Sequence, residues 1–122
     1  MRWNVEFYKD EAGRRPVEGF LERLREGHVG KVLQVLQMLE ERGPSLPFPY
    51  SSQVEGRLRE LRVPYGRTLY RIFYYCDVHR TFVLLHAFEK RSQRLPRGEI
   101  HIAAARMARD QETKRGKNGP KE

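Results

Sequence analysis

Cysteine is almost missing from this chain: Cys76 is the one thiol in 122 residues. A lone cysteine excludes an internal disulfide and suits a reducing compartment, the cytoplasm. No apolar run approaches the roughly 18 residues of a membrane helix, which argues against a spanning segment and a membrane partner. The opening stretch MRWNVEFYKDEAG alternates and carries acids, unlike the continuous apolar core of a secretory signal. Glycine-rich phosphate loops are lacking, so P-loop nucleotide hydrolysis has no support. His28, His79, His86 and His101 show no zinc-site spacing, and there is no second cysteine to help. Neither a metal nor a cofactor is expected.

What the chain has in excess is positive charge, unevenly placed. Residues 1–56 carry 8 Lys/Arg against 9 Asp/Glu, while residues 57–122 carry 16 against 7. Such asymmetry favours a polyanionic partner over general solubility. Most of the basic residues are arginine, whose planar fork pairs with phosphate. Nucleic acid is the first partner to consider.

The length allows one domain, with residues 1–110 folded and a basic tail, QETKRGKNGPKE (111–122), too polar to pack and expected to be disordered. WNVEFY alternates as a first strand. Pro16 opens a helix carrying Val17, Phe20, Leu21 and Leu24, with Gly27 as its stop. A second helix follows, with Val29, Val32, Leu33, Leu36 and Leu39 on one side and Gly43 at its end. PSLPFPYSSQ, with three prolines, reads as a loop. From Arg57 the period becomes that of strands: RLRELRV, TLYRIFYYC and TFVLLHAF form an antiparallel meander whose last strand is central, and PRGEIHIAAARMARD closes as a helix. The expected fold is α+β, an N-terminal strand and helical hairpin packed on a small twisted antiparallel sheet, with a C-terminal helix.

The strands carry polar residues that demand explanation. Arg62 ends one strand and Arg71 interrupts another in its middle. An arginine there either pairs with Glu60 across the strands or points its guanidinium into a phosphate-binding cleft. Lys90 and Arg91 end the next strand, and pairing of the meander brings Arg62, Arg71 and Lys90 towards one concave face. Cations converging in that way repel one another unless an anion completes the site. His86 alternates with Phe82, Leu84 and Phe88, a setting that favours a hydrogen-bonded core residue over an acid/base catalyst. Tyr65 and Tyr70 could stack on unpaired bases, and Arg59, Arg67, Arg94 and Arg97 complete a candidate RNA-binding set, although the stretch from Lys90 to Arg97 also reads as a solvated approach to the last helix, the better reading for Arg94 and Arg97 taken singly.

Taken together, LRELR, GRTLYRIFYY and FVLLHAFEKRSQRLPRGEIHIAAARM resemble the RelE/HigB-like toxins of bacterial type II toxin–antitoxin modules, and within them the phage-associated branch. Leu58, Glu60, Leu61 and Arg62 match that branch's first strand motif. Tyr70, Arg71, Ile72 and Tyr74 match the second. Leu84, Leu85, His86, Phe88, Lys90, Arg91, Ser92, Gln93 and Pro96 match the third, and Glu99, Ile100 and Ala103 the final helix. The chain departs from some relatives in having Glu60 where they carry lysine, and in lacking a C-terminal tyrosine.

The resemblance implies a RelE-like fold and an mRNA endonuclease that cuts in the ribosomal A site by metal-independent attack of a ribose 2′-hydroxyl. Arg62 and Arg71 would then clamp phosphate, Lys90 and Arg91 would serve phosphate binding or proton transfer, and His86 is a further acid/base candidate. The partners implied are the ribosome and mRNA, and a helix-turn-helix antitoxin through which operator DNA is bound. Two other functions share the fold or the charge: gyrase inhibition without RNA cleavage, and non-catalytic RNA or ribosome binding.

Overall fold

The computed structural model describes residues 2–92 and 94–118, with the side chains of 117 and 118 left aside. The elements run β1 (Asn4–Phe7), α1 (Pro16–Glu22), α2 (Glu26–Arg42), a short 3-10 turn (Gly43–Ser45), β2 (Ser51–Glu55), β3 (Leu58–Tyr65), β4 (Thr68–Cys76), β5 (Thr81–Glu89) and α3 (Arg97–Asn118). The five strands form one sheet in the order β1-β5-β4-β3-β2. The α+β architecture with a C-terminal helix is therefore as the sequence implies and agrees with a RelE-like fold. β2 to β5 are the antiparallel meander. β1 joins β5 in parallel, which makes the sheet mixed.

Local chemistry explains most boundaries. Pro16 starts α1, where its missing N–H costs no hydrogen bond. Gly27, expected to stop that helix, lies instead inside α2; α1 ends at Glu22 and three residues link the pair. A Cβ at Gly27 would come within 2.7 Å of the Tyr65 hydroxyl, so a larger residue there would push that exposed side chain aside. Gly43 does end α2, at φ +56°, its N–H bonded to the Leu39 carbonyl. Along α2 the buried stripe is Val32, Val35, Leu36 and Leu39, whereas Leu33 is 53% exposed. The supposed proline loop ends early, because Ser51–Glu55 pairs with β3 as an edge strand.

Helices cover both faces of the sheet, and the apolar residues divide accordingly. Val17, Leu21, Val32 and Leu39 pack against Leu61, Val63, Ile72, Tyr74, Phe82 and Leu84. On the opposite face Ile100 and Ala103 of α3 meet Leu58, Phe73, Tyr75, Val83 and Leu85. Such double coverage is why β4 is apolar on both sides rather than alternating. β5 lies between β1 and β4, inside the sheet.

Residues 111–118, expected to belong to a disordered tail, continue α3. Lys114 anchors them: its Nζ lies 2.6 Å from Asp77 Oδ2 and 2.9 Å from Asp110 Oδ2, and the Tyr75 hydroxyl donates to the same Asp110 oxygen at 2.6 Å. A polar sequence can be ordered when its charges find buried partners. Residues 119–122 of that tail lie outside the described residues. Among the described residues, no helix is long and apolar enough to cross a membrane.

Candidate functional site

Strand register puts Arg62 directly opposite Arg71, and Glu60 opposite Phe73. Two residues apart on β3, Glu60 and Arg62 share the sheet face that meets α3. Glu60, 4% exposed, is the acid both arginines use. The Arg71 Nε and Nη2 both engage its Oε2, while Arg62 Nη1 is 3.4 Å from Oε1, which also accepts from the Ser52 hydroxyl at 3.2 Å. Of the two alternatives for Arg71, cross-strand pairing is thus realised, and one carboxylate sits between two guanidinium groups. The Arg71 guanidinium also lies 5.3 Å from the Phe73 ring centre and 5.5 Å from that of Phe88. Its Nη1 bonds no described residue.

Arg71 borders an open cleft of about 540 Å³ between the end of β5 and the N-terminus of α3. Lys90, Arg91 and Arg94 supply its cationic wall, while Phe20 and Tyr70 form an aromatic one. Four cations share this lining with two carboxylates, Glu89 and Glu99. Arg91 is 3.4 Å from Glu89. Lys90 is held by its backbone, whose N–H donates to the Leu69 carbonyl at 2.8 Å, and its side chain has no acidic partner among the described residues. Arg62 is not on the cleft lining; it reaches the site through Glu60.

His86 is not where simple alternation puts it. The β4–β5 register shifts between Phe73 and Tyr74: Phe73 pairs with His86, but Tyr74 pairs with Leu84. This bulge leaves Phe82 and Leu84 in the α1/α2 core and turns His86 to the α3 side with Phe88. There both ring nitrogens are engaged. Nε2 is 2.6 Å from Glu99 Oε1, and Nδ1 is 3.2 Å from Arg106 Nη1. Burial is the largest influence on the imidazole and lowers its pKa, against the opposing pull of Glu99. Glu99 was read from sequence only as a match to the family's final-helix motif, not as a site residue, and Arg106 was not named; their spacing of about two turns on the helix that faces β5 is the signal that links them.

The remaining candidates scatter. Arg59 lies on the α1/α2 side, bonding the Ser51 hydroxyl through Nε at 3.3 Å and Nη2 at 3.1 Å. Tyr65 is 41% exposed at the β3–β4 turn and packs on His28 with ring centres 4.6 Å apart. Tyr70 is buried, its hydroxyl 2.7 Å from His28 Nδ1, and burial raises its pKa. Arg67 is exposed in the same turn as Tyr65, and Arg97 is exposed at the first residue of α3. Gln93 lies outside the described residues. The structure therefore brings Arg71, Lys90, Arg91, Arg94 and His86 to one cleft, with Tyr70 on its far wall. Arg59, Tyr65, Arg67 and Arg97 are not on that lining. Among the described residues no His, Cys, Asp and Glu side chains gather as a metal-binding group.

Comparison with known proteins bears on this geometry. A family model described as "Phage derived protein Gp49-like (DUF891)" matches residues 19–108, which run from within α1 to the first half of α3 and include every cleft residue. The chain belongs to that phage-derived family, which is RelE-like and toxin-like. A search of curated proteins finds no match.

Proposed function

We propose that this Gp49-like protein is a RelE/HigB-like toxin of a type II toxin–antitoxin pair, acting as a ribosome-dependent mRNA endonuclease. The observation that carries the reading is the cleft at the start of α3, where four cations outnumber two carboxylates beside an aromatic wall. Fixed cations placed where phosphate charge develops lower a transition state without reorganising during reaction. In the proposed reaction a ribose 2′-oxygen attacks the adjacent phosphorus and the 5′-oxygen leaves, giving a 2′,3′-cyclic phosphate and a 5′-hydroxyl. Arg71, Lys90 and Arg91 offset the charge on the phosphorane oxygens. Arg62 acts indirectly, sharing Glu60 so that this buried acid does not neutralise Arg71 alone. Arg94, Arg97, Arg67 and Arg59 add longer-range attraction for RNA, and Tyr65 offers a partly exposed ring in the same turn as Arg67. The 2′-hydroxyl requirement selects RNA over DNA.

The partners in this reading are the ribosome with mRNA, and an antitoxin with a helix-turn-helix domain through which operator DNA is held. The setting is the cytoplasm.

Primer extension on mRNA engaged by ribosomes tests it, with wild-type protein, Lys90→Ala and Arg71→Lys. The lysine variant at 71 keeps a charge for Glu60 but loses the guanidinium fork. Codon-spaced cuts that need ribosomes and fade in both variants are the expected result. Intact mRNA at saturating wild-type protein would sink the nuclease reading and redirect attention to gyrase inhibition or plain RNA binding.

A further inference from the structure

The proposed reaction needs a group to take the 2′-hydroxyl proton, and the cleft has two carboxylates to offer. Glu89 stands at the end of β5 beside Arg91, whose side chain is 81% exposed. Glu99, in the first turn of α3, is different because it is oriented from behind. Its Oε1 receives a hydrogen bond from His86 Nε2 at 2.6 Å. The direction follows from Arg106, whose Nη1 is 3.2 Å from His86 Nδ1 and 2.9 Å from the Leu85 carbonyl. A guanidinium can only donate, so Nδ1 accepts and the imidazole proton is on Nε2. The ring is therefore neutral, and burial favours the same state. Among the described residues His86 is the one donor to this carboxylate. The rest of its acceptor capacity is left to the cleft.

A proton acceptor held by a second group that is itself held by a third is the arrangement expected of a catalytic base. We propose that Glu99 is the general base of the cleavage, and that His86 and Arg106 are its positioning residues. The proposal rests on the nuclease reading. Glu99 takes the 2′-hydroxyl proton as the 2′-oxygen bonds to phosphorus. The bond from phosphorus to the 5′-oxygen breaks, and that oxygen takes a proton from the Lys90 ammonium. Exchange with water returns Lys90 and Glu99 to their starting states. The charged groups sharing the cleft with Glu99 are Arg71 of β4, Glu89 of β5, and Lys90, Arg91 and Arg94 of the β5–α3 connection.

Single-turnover cleavage of mRNA on programmed ribosomes, followed across pH, separates the roles. Glu99→Gln keeps an acceptor for His86 but removes the base. Its cleavage should slow by about 100-fold or more. Binding of the same mRNA carrying a 2′-deoxynucleotide at the cut site should be unchanged or tighter, because an anion has left a cationic cleft. Arg106→Met leaves Nδ1 free to protonate, so the acid limb of its pH–rate profile should move to higher pH, with the alkaline plateau within a few fold of wild type. Glu99→Gln cutting at the wild-type rate, or losing cleavage and 2′-deoxy binding in parallel, overturns the base assignment and leaves the nuclease reading standing. An unshifted acid limb in Arg106→Met overturns the positioning roles. No cutting by the wild-type protein overturns both readings together.

Discussion

At its C-terminal half α3 is tied to the sheet by Lys114, which Asp77, Asp110 and Glu6 surround at 2.6, 2.9 and 3.6 Å. At its N-terminal end four cations border a cleft with two carboxylates. One end holds more acid than base in a buried cluster, and the Asp77 side chain is only 2% exposed. The other holds more base than acid around open space. Both are charged and unbalanced in opposite senses, yet of the two only the second surrounds an open cleft that a ligand can enter. The difference teaches that a charge cluster reads as a fastening when opposite charges fill it, and as a binding site when like charges face a gap.

Four experiments would break or sharpen that contrast. The largest effect is expected where a cleft residue is also paired with a buried carboxylate. Arg71→Ala leaves Glu60 buried with Arg62 at 3.4 Å as its remaining cation, and should cost about 3–5 kcal/mol in chemical denaturation. Glu60→Gln together with Arg71→Met should recover much of that loss. If the single variant is as stable as wild type, Arg71 is a free site residue and the pairing is unimportant.

Next comes the closed cluster. Lys114→Ala strands Asp77 and Asp110, and should lower stability by about 2–3 kcal/mol, with RNA affinity unchanged. Hydrogen exchange should show the last turns of α3 opening first. A variant that loses RNA binding but not stability would erase the distinction between the two ends.

A smaller effect separates the ends by pH. For His86 the folded pKa is depressed, so the unfolded chain takes up a proton first as pH falls. Stability should therefore decline from the ordinary imidazole value of 6.5 downwards and level off below the folded value. His86→Gln should flatten that portion of the curve. Burial by itself raises Asp77, but hydrogen bonds from Lys114 and the Thr81 and His79 N–H groups bring it below the ordinary 3.8. Its contribution is present above that value and is lost only as pH falls through the folded pKa. Two acid transitions, one blunted by His86→Gln and the other by Asp77→Asn, are the expected pattern.

The smallest stability effect belongs to Lys90→Ala, within about 0.5 kcal/mol of wild type, because no described acid pairs with it. RNA binding should nevertheless weaken, and the slope of log affinity against log salt should shrink by about 1. An unchanged slope would remove Lys90 from the phosphate contacts.

Much of this architecture was legible because it follows from short-range rules. Alternation marked β3, aromatic and β-branched runs marked β4 and β5, Pro16 and Gly43 punctuated the helices, and the motif around Tyr70–Arg71 and His86–Lys90 pointed to the family. Strand parity already separates Arg59 and Tyr65 from Glu60 and Arg62, since alternate residues of one strand face opposite ways. His86 defeated the same rule because a bulge adds a residue to β5, and nothing in TFVLLHAF marks where it falls. The helical continuation over residues 111–118 was hidden for another reason: α3 is fastened there by ion pairs from Lys114 to Asp77 and Glu6, distant in sequence, rather than by an apolar stripe.

By itself the sequence determined the α+β class, the order of most elements, the basic second half and the family, all of which depend on neighbours within a few residues or on composition. Tertiary structure alone decided that β1 pairs in parallel, that Glu60 lies between two arginines, and that His86 turns to meet Glu99 and Arg106. Those outcomes depend on register and on contacts between residues 11 to 20 positions apart or more. A charge pattern along the chain does not record which of its members will share one cleft.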